Sequence, residues 1–533
     1  MLGRHLGPAV LRAVPVVFLG VFFLWPVGAL VWRAVEVGVD DSILTQLRRT
    51  HALELLGVTL AQAGASTVAA LVVAAPIIWL YARLPGAGAV VLTVVVTIPF
   101  VLPTVVVGVA IRAVFDGPLA VLGVDGGWPA VLAAHAFINV AVVVRVVGAA
   151  WRSLDARTVE SARVLGAGRL RAWWSVVLPR LLPPVAAAGA LVFLFCSTSF
   201  GVIIVLGGGA VRTLETEIYT QAIGYFRIPD AVLLSVLQIV VVVVLLITRV
   251  FTGSADAAAG TAAPRTEPIR GAARIGAGFA WAWALLVLVG PVLVLVGRSV
   301  RPDAEAPPTL AGYRALSRPV DGVTPLSTLW FSLSTAAVAM LLAVVVGVLA
   351  ALALHRSRGV LGTIAGGIAM IPLGVSAVTL GFGYLIVLSA LPAEVAASTP
   401  VIPCVQALIG IPVVIRIVMP ALESVPVRQR QAAACLGAGP VRVFLTVDLP
   451  VVGRSVCAAA GFAFVMALGE FGATSFLARA DATTLPVLIG SALGRPGSDE
   501  LATAMAASVV LVVVTAAAIG VVEVFRPRSG TLI

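Results

Sequence analysis

Twelve long apolar stretches constrain this chain more than any other feature of its sequence. A helix needs roughly 20 apolar residues to cross the hydrocarbon core of a bilayer, and each stretch provides about that length. Hydrophobic residues make up 60% of the 533 residues and charged residues only 11%, a composition too apolar for a water-soluble core. The sequence therefore predicts an all-α membrane protein with about 12 transmembrane helices.

The stretches form two groups of six, and a segment rich in Gly, Ala, Ser, Thr and Pro separates them, as in a linker. We predict a first transmembrane module at 1–252, a linker at 253–273 and a second module at 274–533. The first stretch follows a basic N-terminus and is predicted to be an uncleaved span, because further spans follow at once. The predicted spans lie near 9–32, 54–82, 88–115, 129–151, 181–206, 229–251, 274–297, 327–354, 359–390, 400–422, 452–478 and 501–524.

The distribution of charge predicts the orientation. The formal net charge is +11, and all basic side chains other than histidine are arginines, many of them at 152–180 and 428–454. Short loops rich in arginine stay on the cytoplasmic side of a membrane. We therefore expect these two segments, the linker and both termini to be cytoplasmic, and no nucleic-acid partner. The four cysteines form no CxxC pair, so neither disulfides nor a metal site are expected.

A polar segment between apolar stretches occurs twice, 271 residues apart, with the same spacing in both copies. Six spans per copy is an even number, so both modules have the same orientation and are related by a pseudo-two-fold axis along the membrane normal. The repeat extends into the spans, where Phe200-Gly201 matches Phe471-Gly472. The first segment contains Glu160, Ser161, Ala162, Gly166, Gly168, Leu178 and Pro179, and the second Gln431, Ala432, Ala433, Gly437, Gly439, Leu449 and Pro450.

The residue types in this segment suit a docking element. Small residues next to Glu160 and Gln431 allow a short helix to lie flat against another protein, and the glycines that follow turn the chain. Pro179 and Pro450 begin the next span, where a missing N–H costs little. Glu160 can face a partner arginine, whereas Gln431 keeps the hydrogen bonding without the charge.

The segment resembles the EAA loop of bacterial ABC importer permeases, whose pattern is E-A-A, three residues, G, nine residues, I, one residue, L-P. Ser161, Val176 and Gln431 depart from that pattern. The resemblance implies two tandem type I permease modules in the bacterial cytoplasmic membrane. It also implies coupling to two copies of a cytoplasmic ABC ATPase and delivery by an extracytoplasmic substrate-binding protein. No cofactor is then expected on this chain, and ATP and Mg²⁺ belong to the ATPase.

The cargo is less closely defined. A fused double permease resembles the thiamine and iron(III) importer group, and the stretches around His135-Ala-Phe-Ile-Asn139 and Phe200 resemble thiamine permeases. Around Glu470 the sequence also resembles iron and molybdate permeases. The resemblance therefore favours a small cationic solute, with thiamine first and iron(III) next.

Four intramembrane polar residues are candidates for the substrate path. Glu470 lies inside a span opposite Ser199 of the first module, and a carboxylate at membrane depth should face a path or a partner. It either lines the path for a cation or forms a helix-packing hydrogen bond. His135 and Asn139 share one face of the fourth span, and hydrogen bonding across helices is favoured over contact with cargo.

Two other classes of function were compared with an importer. A 12-span secondary transporter driven by an ion gradient would also have two parallel halves, but it leaves the duplicated loop unexplained. A membrane enzyme would need a catalytic constellation, and no paired acids or nucleophile and base are evident in the spans. The chain has no G-x-x-x-x-G-K-[ST] motif, so ATP hydrolysis is expected on a partner subunit.

The difference between Glu160 and Gln431 predicts unequal docking sites. Only the first is expected to include a charged contact, which salt screens. Raising ionic strength should therefore weaken ATPase binding more at the first loop, and Glu160→Gln should abolish the difference. Binding of the ATPase to variants with one intact loop, measured against salt, tests this, and equal salt dependence at both loops would contradict it.

Overall fold

A computed structural model describes residues 12–40, 43–123, 126–251, 271–302, 307–319, 324–357, 366–367, 369–396, 398–479, 481–495 and 497–525. These residues form helices and turns, with a single isolated β-bridge between Arg479 and Ala482 among them. The all-α prediction is therefore confirmed. The predicted linker lies mostly outside the described residues.

The helices of the first half are labelled in chain order, with Arg169–Ser197 treated as one helix containing a π turn. They are α1 Arg12–Glu36, α2 Ile43–Arg49, α3 Ala52–Arg83, α4 Gly86–Val101, α5 Thr104–Phe115, α6 Gly127–Arg152, α7 Ala156–Val164, α8 Arg169–Ser197, α9 Gly201–Leu206, α10 Leu214–Tyr219 and α11 Ile228–Phe251. Short 3₁₀ and π turns lie at Ala120–Leu122 and Thr220–Gly224.

The second half follows the same order, and its long helix Pro440–Leu468 also contains a π turn. Its helices are α12 Ala272–Leu288, α13 Gly290–Val300, α14 Ala311–Ala315, α15 Pro325–Arg356, α16 Ala377–Ser389, α17 Ala393–Ala396, α18 Val401–Glu423, α19 Val427–Cys435, α20 Pro440–Leu468, α21 Thr474–Leu477, α22 Leu485–Leu493 and α23 Ser498–Phe525. A 3₁₀ turn lies at Ile371–Leu373.

Nine helices of the described part are long and apolar enough to cross a membrane, or up to eleven spans if each of two bent pairs counts as one. The predicted span at 88–115 is broken in the structure, because α4 and α5 meet at an angle of 101°. Pro103 lies at this bend and cannot donate the backbone hydrogen bond that a continuous helix needs. The predicted span at 359–390 lies partly outside the described residues. Within its described part, the helix α16 is shorter than a full span.

The duplication seen in the sequence is also present in the structure. α3 and α15 each have 32 residues, and the short helices α7 and α19 each have nine. In both halves the span that follows the loop, α8 or α20, begins earlier than predicted. Each starts with a short helical segment that is followed by a π turn. The π turn precedes Pro179 or Pro450, so it accommodates the ring and the missing N–H.

The first span of each half packs against the other half. α1 contacts α16 and α18, and the Tyr384 hydroxyl donates a hydrogen bond to the carbonyl of Phe22. In the opposite direction α12 contacts α3, where the Trp283 indole N–H donates to the carbonyl of Val73 at 3.0 Å. The two halves therefore interlock instead of meeting at one flat interface.

In both halves a hydroxyl group accepts a hydrogen bond from the first amide of a short helix, α10 or α22. The Leu214 amide, at the start of α10, donates to the Thr59 hydroxyl at 3.0 Å. The Leu485 amide, at the start of α22, donates to the Ser332 hydroxyl at 2.7 Å. A helix start inside a membrane needs such a partner, because lipid supplies none. These bonds hold the broken helices against α3 and α15.

The glycines of α5 and α16 permit close helix contacts. A Cβ on Gly381 would lie 2.7 Å from the Cα of Ala473, and a Cβ on Gly108 would lie 2.8 Å from the Cβ of Val205. The Cα of Ala473 is a backbone atom and the Cβ of Val205 is bonded to one, so neither contacted atom can move aside. Helices in membranes commonly use small residues for such approaches.

We expect Gly381→Ala to destabilise the protein by about 1–3 kcal/mol, because overpacking forces the backbones apart. Gly57→Ala is the control, since its new methyl group would meet nothing within 4 Å and alanine is the better helix former. Thermal unfolding in detergent measures both variants. A melting temperature for Gly381→Ala equal to that of Gly57→Ala would contradict the packing argument.

Candidate functional site

The two repeated loops have nearly the same backbone. In the first, α7 ends at a left-handed Gly166 with φ +88°, and the Ala167 amide donates to the carbonyl of Ala162 at 3.0 Å. In the second, Gly437 has φ +81°, and the Ala438 amide donates to the carbonyl of Ala433 at 3.0 Å. Glycine is the residue that adopts this conformation without strain. Each glycine therefore ends its short helix and turns the chain in the same direction.

The second glycine of each loop begins the next helix. Gly168 has φ −63° and Gly439 φ −70°, and both lie at the N-cap of the helix that leads into the membrane. The π turns Trp173–Val177 and Phe444–Asp448 follow directly. Leu178-Pro179 and Leu449-Pro450 come immediately after these turns, so the predicted loop residues form one continuous element with α8 and α20.

The residue that follows each short helix exposes an apolar side chain. Leu165 is 88% exposed and its counterpart Leu436 is 89% exposed. Glu160, Ser161, Gln431 and Ala432 are exposed, whereas Ala162 and Ala433 are partly buried. Exposed leucines on a polar loop favour a surface that another protein covers. The structure contains no partner, so the docking role of these residues stays a prediction.

The two short helices are held differently. In the second half the Arg430 guanidinium donates to Asp448 at 2.7 Å and to the carbonyl of Leu422 at 2.8 Å, and it lies 2.9 Å from the Nε2 atom of His355. Apolar Val159 and Val177 occupy the positions equivalent to Arg430 and Asp448. The ionic anchor of α19 was missed from the sequence, because the pattern shared by the two loops does not include these positions.

The first loop relies on weaker polar contacts. Asp155 accepts a hydrogen bond from the amide of Arg157 and caps α7. The Arg180 guanidinium donates to the Thr158 hydroxyl at 2.8 Å. Exposed polar contacts of this kind each contribute little to stability. α7 is therefore expected to be less rigidly held than α19.

Glu470 does not lie open to a path. The residue is 5% exposed, and its carboxylate accepts hydrogen bonds from the backbone amides of Ala473 at 2.7 Å and Thr474 at 2.9 Å. It closes the turn between α20 and α21, and these bonds lie within its own turn. Ser199, its counterpart, is partly buried, and its amide donates to the carbonyl of Cys196 at 3.4 Å.

His135 and Asn139 lie together inside the first half, whereas the turn that contains Glu470 belongs to the second half. The Nδ1 atom of His135 is 2.9 Å from the Ser66 hydroxyl. The Asn139 amide donates to the carbonyl of His135 and contacts the Cys196 sulfur at 3.5 Å. The two side chains thus join α6 to α3 and α8, as the hydrogen-bonding interpretation predicts.

A second buried carboxylate joins the two halves and was not singled out from the sequence. Glu215 of α10 is fully buried and accepts hydrogen bonds from the Gln238 amide at 2.8 Å and from the Ser376 hydroxyl. Ser376 in turn accepts from the amides of Val378 and Thr379 at the start of α16. A carboxylate with donors on both oxygens can be buried at a helix contact.

A cavity of about 310 Å³ lies between the halves. Thr97 and Arg145 line it from the first half, and Phe462 and Val512 from the second. The Arg145 guanidinium donates to the Thr97 hydroxyl at 2.6 Å.

Comparison with known proteins agrees with this architecture. The family described as binding-protein-dependent transport system inner membrane component matches residues 66–258. The thiamine transport system permease protein ThiP of Brucella abortus (strain 2308) is 26% identical over 498 residues, covering 88% of this chain and 87% of the relative. The ThiP of Escherichia coli (strain K12) is 26% identical and covers 70% and 69%. The molybdenum transport system permease protein ModB of Mycobacterium tuberculosis is 32% identical over 200 residues, covering 35% and 74%.

The helices and the duplicated halves define a multi-pass membrane permease. The chain belongs to the family of inner membrane components of binding-protein-dependent transport systems, and it is a fused ABC importer permease.

We expect Asp448→Ala to loosen α19, because the partly buried Arg430 loses its charged partner. The loss of a hydrogen bond to a charged group costs about 1–3 kcal/mol. Val177→Ala, at the equivalent position of the first half, is the control. Hydrogen–deuterium exchange of the α19 amides should become faster only in Asp448→Ala, and unchanged protection of α19 would contradict the ionic anchor.

Proposed function

We propose that this chain is the permease subunit of an ATP-driven importer of thiamine and that its two loops dock a cytoplasmic ATPase. The two exposed loops carry the proposal, because they present equivalent apolar residues, Leu165 and Leu436, directly after α7 and α19 in two related modules. Two equivalent surfaces fit two copies of one partner, since a pair of identical subunits has the same symmetry.

The proposed coupling is mechanical. Each loop continues without a break into a long helix, α8 or α20, that enters the membrane. When ATP binding brings two ATPase subunits together, the loops and these helices move with them. A bistable arrangement of two packed modules converts such a displacement into alternating access. ATP and Mg²⁺ are bound by the ATPase, and no cofactor is assigned to this chain.

Thiamine is the cargo that the relatives favour. The similarity to ThiP of Brucella abortus covers 88% of the chain and thus both halves, whereas the similarity to ModB covers 35%. Molybdate is therefore the second candidate. Iron(III), which the resemblance ranked second, has no support from these relatives.

A secondary transporter is the alternative mechanism. It would need an acidic or other ion-binding side chain open to the path. Glu470 and Glu215 have hydrogen-bond donors on both oxygens of their carboxylates. Neither carboxylate is arranged as an open coupling-ion site, and the duplicated exposed loops would have no role. We therefore prefer an ATP-driven importer as the mechanism.

The proposed complex contains one copy of this chain, two ATPase subunits and one extracytoplasmic binding protein. The loops and both termini face the cytoplasm in this arrangement, as the arginine distribution predicts. The membrane is the bacterial cytoplasmic membrane, and the binding protein delivers thiamine from the opposite side.

Gly166→Ala combined with Gly437→Ala should weaken docking about tenfold or more. Each alanine would adopt a left-handed backbone, which costs about 1–2 kcal/mol per residue, so the short helices would end in another direction. Gly168→Ala with Gly439→Ala is the matched control, because those residues have negative φ and open space around the new methyl group. Co-purification of the ATPase measures the effect, and equal recovery with both pairs would contradict it.

Stimulated ATP hydrolysis by the reconstituted complex tests the cargo. We expect binding protein loaded with thiamine to raise the ATPase rate several-fold above the unloaded protein, because docking of a loaded binding protein favours the state that hydrolyses ATP. Molybdate and ferric ion are the comparison cargoes. Stimulation by molybdate alone would move the assignment to the second candidate, and uptake driven by an ion gradient without ATP would overturn the mechanism.

A further inference from the structure

Two equivalent phenylalanines touch across the molecule. Phe200 and Phe471 occupy the same place in the repeat, and their rings stack with centroids 5.2 Å apart and planes 16° apart. They are 5% and 7% exposed. Two residues that a pseudo-two-fold axis relates can contact each other only close to that axis. The stacked pair therefore lies where the two modules meet, and in a permease built from two related halves the path follows this axis.

Both phenylalanines lie at a break in a long helix. Phe200 follows the end of α8 and precedes α9, and Phe471 lies in the turn between α20 and α21. Backbone that is not helical is tolerated inside a membrane only where protein buries it or where it lines a cavity. Broken helices at a repeat interface are a common position for transport sites.

Neighbouring groups hold the stacked pair in place. The ring of Tyr219 lies 5.2 Å from that of Phe200, and Phe476 meets Tyr219 edge-on at 5.4 Å. Glu470 precedes Phe471 and fixes its turn through two backbone amides. A Cβ on Gly490 would lie 2.9 Å from the Phe471 ring. Glu470 and Gly490 thus act as positioning residues for the ring of Phe471.

The stacked pair lies next to the cavity between the halves. Leu102 lines that cavity. The next residue, Pro103, lies 3.3 Å from the position that a Cβ on Gly469 would take, and Thr104 packs against Gly201. The chain thus runs from the cavity wall at Leu102 to the backbone beside both phenylalanines. The stacked pair therefore lies directly beside this end of the cavity, where the two halves meet.

We propose that Phe200 and Phe471 seal the transport path in this state and recognise the cargo as it passes. An apolar constriction excludes water and ions when its side chains meet. When the modules separate, the two ring faces become available to a cationic ring of the cargo, which aromatic faces attract. This recognition rests on thiamine as the proposed cargo, since its thiazolium ring is cationic, whereas the seal does not depend on the cargo.

The seal is tested by passive leak of radiolabelled choline from proteoliposomes that contain the permease–ATPase complex without ATP. We expect Phe200→Ala with Phe471→Ala to raise the leak about tenfold or more, because two rings leave the constriction. Gly490→Ala should also raise it, since its methyl group displaces the Phe471 ring without removing it. Phe279→Ala, which removes an exposed ring on α12, is the control. A leak equal to wild type in both path variants would overturn the seal.

Recognition is tested with Phe200→Leu combined with Phe471→Leu. Leucine keeps an apolar constriction, so the leak should stay low, but it has no ring face for a cation. We expect ATP-driven thiamine uptake to fall about tenfold, because the loss of a cation–π contact weakens binding of a cationic ring by about that factor. Phe279→Leu is the control, and basal ATP hydrolysis shows that each complex is assembled. Wild-type uptake in the double-leucine variant would overturn the recognition role.

The two proposals fail in different ways. If the wild-type complex takes up no thiamine with ATP and loaded binding protein, thiamine and recognition of its ring are both wrong. The choline leak still decides the seal, because it needs neither the binding protein nor a known cargo. If thiamine uptake is normal and neither path variant leaks, the proposed function stands and the seal is wrong.

Discussion

Helix continuity from each exposed loop to the centre of the molecule is the constraint on which the rest of the structure depends. α8 runs from Arg169 to Ser197 and ends just before Phe200, and α20 runs from Pro440 to Leu468 and ends just before Phe471. A hydrogen-bonded helix is stiff along its axis, and in lipid its backbone bonds have no competing partner. A displacement at the loop is therefore delivered to the stacked phenylalanines. The π turns allow Pro179 and Pro450 to lie in these helices without interrupting them.

The two halves are equivalent in backbone but not in chemistry. The first half contains the buried His135 and Asn139, and it contributes the buried Glu215 to the contact with the second half. The second half contains the ionic anchor of its docking helix, Arg430 with Asp448. A fused chain permits this division, because each half is encoded separately and can change without its counterpart. The unequal loops follow from the same freedom.

Much of this arrangement could be predicted from the sequence. Apolar length and the repeat gave the helical membrane fold and the two loops, because a bilayer restricts spanning structure to a few solutions. The size of the bend at Pro103 could not be predicted, since a proline in the sequence does not reveal how neighbouring helices will support a break. Contacts across the halves, such as Glu215 with Ser376 or the Phe200–Phe471 stack, depend on tertiary packing that no spacing encodes. Glu470 illustrates the limit, because its residue type left both a path and a helix-packing hydrogen bond open, whereas its backbone partners indicate a fixed turn.

The distance between the two loops reports whether ATP binding moves them together. Ser175 and Thr446 are exposed, equivalent residues of the two π turns, and spin labels can be attached there after Cys435 and Cys457, which are also exposed, are changed to serine. Double electron–electron resonance on the reconstituted complex would then compare the nucleotide-free and ATP-bound states. We expect the distance to shorten by several ångströms when ATP binds the partner ATPase. An unchanged distance in a complex that hydrolyses ATP and transports would contradict coupling through the loops.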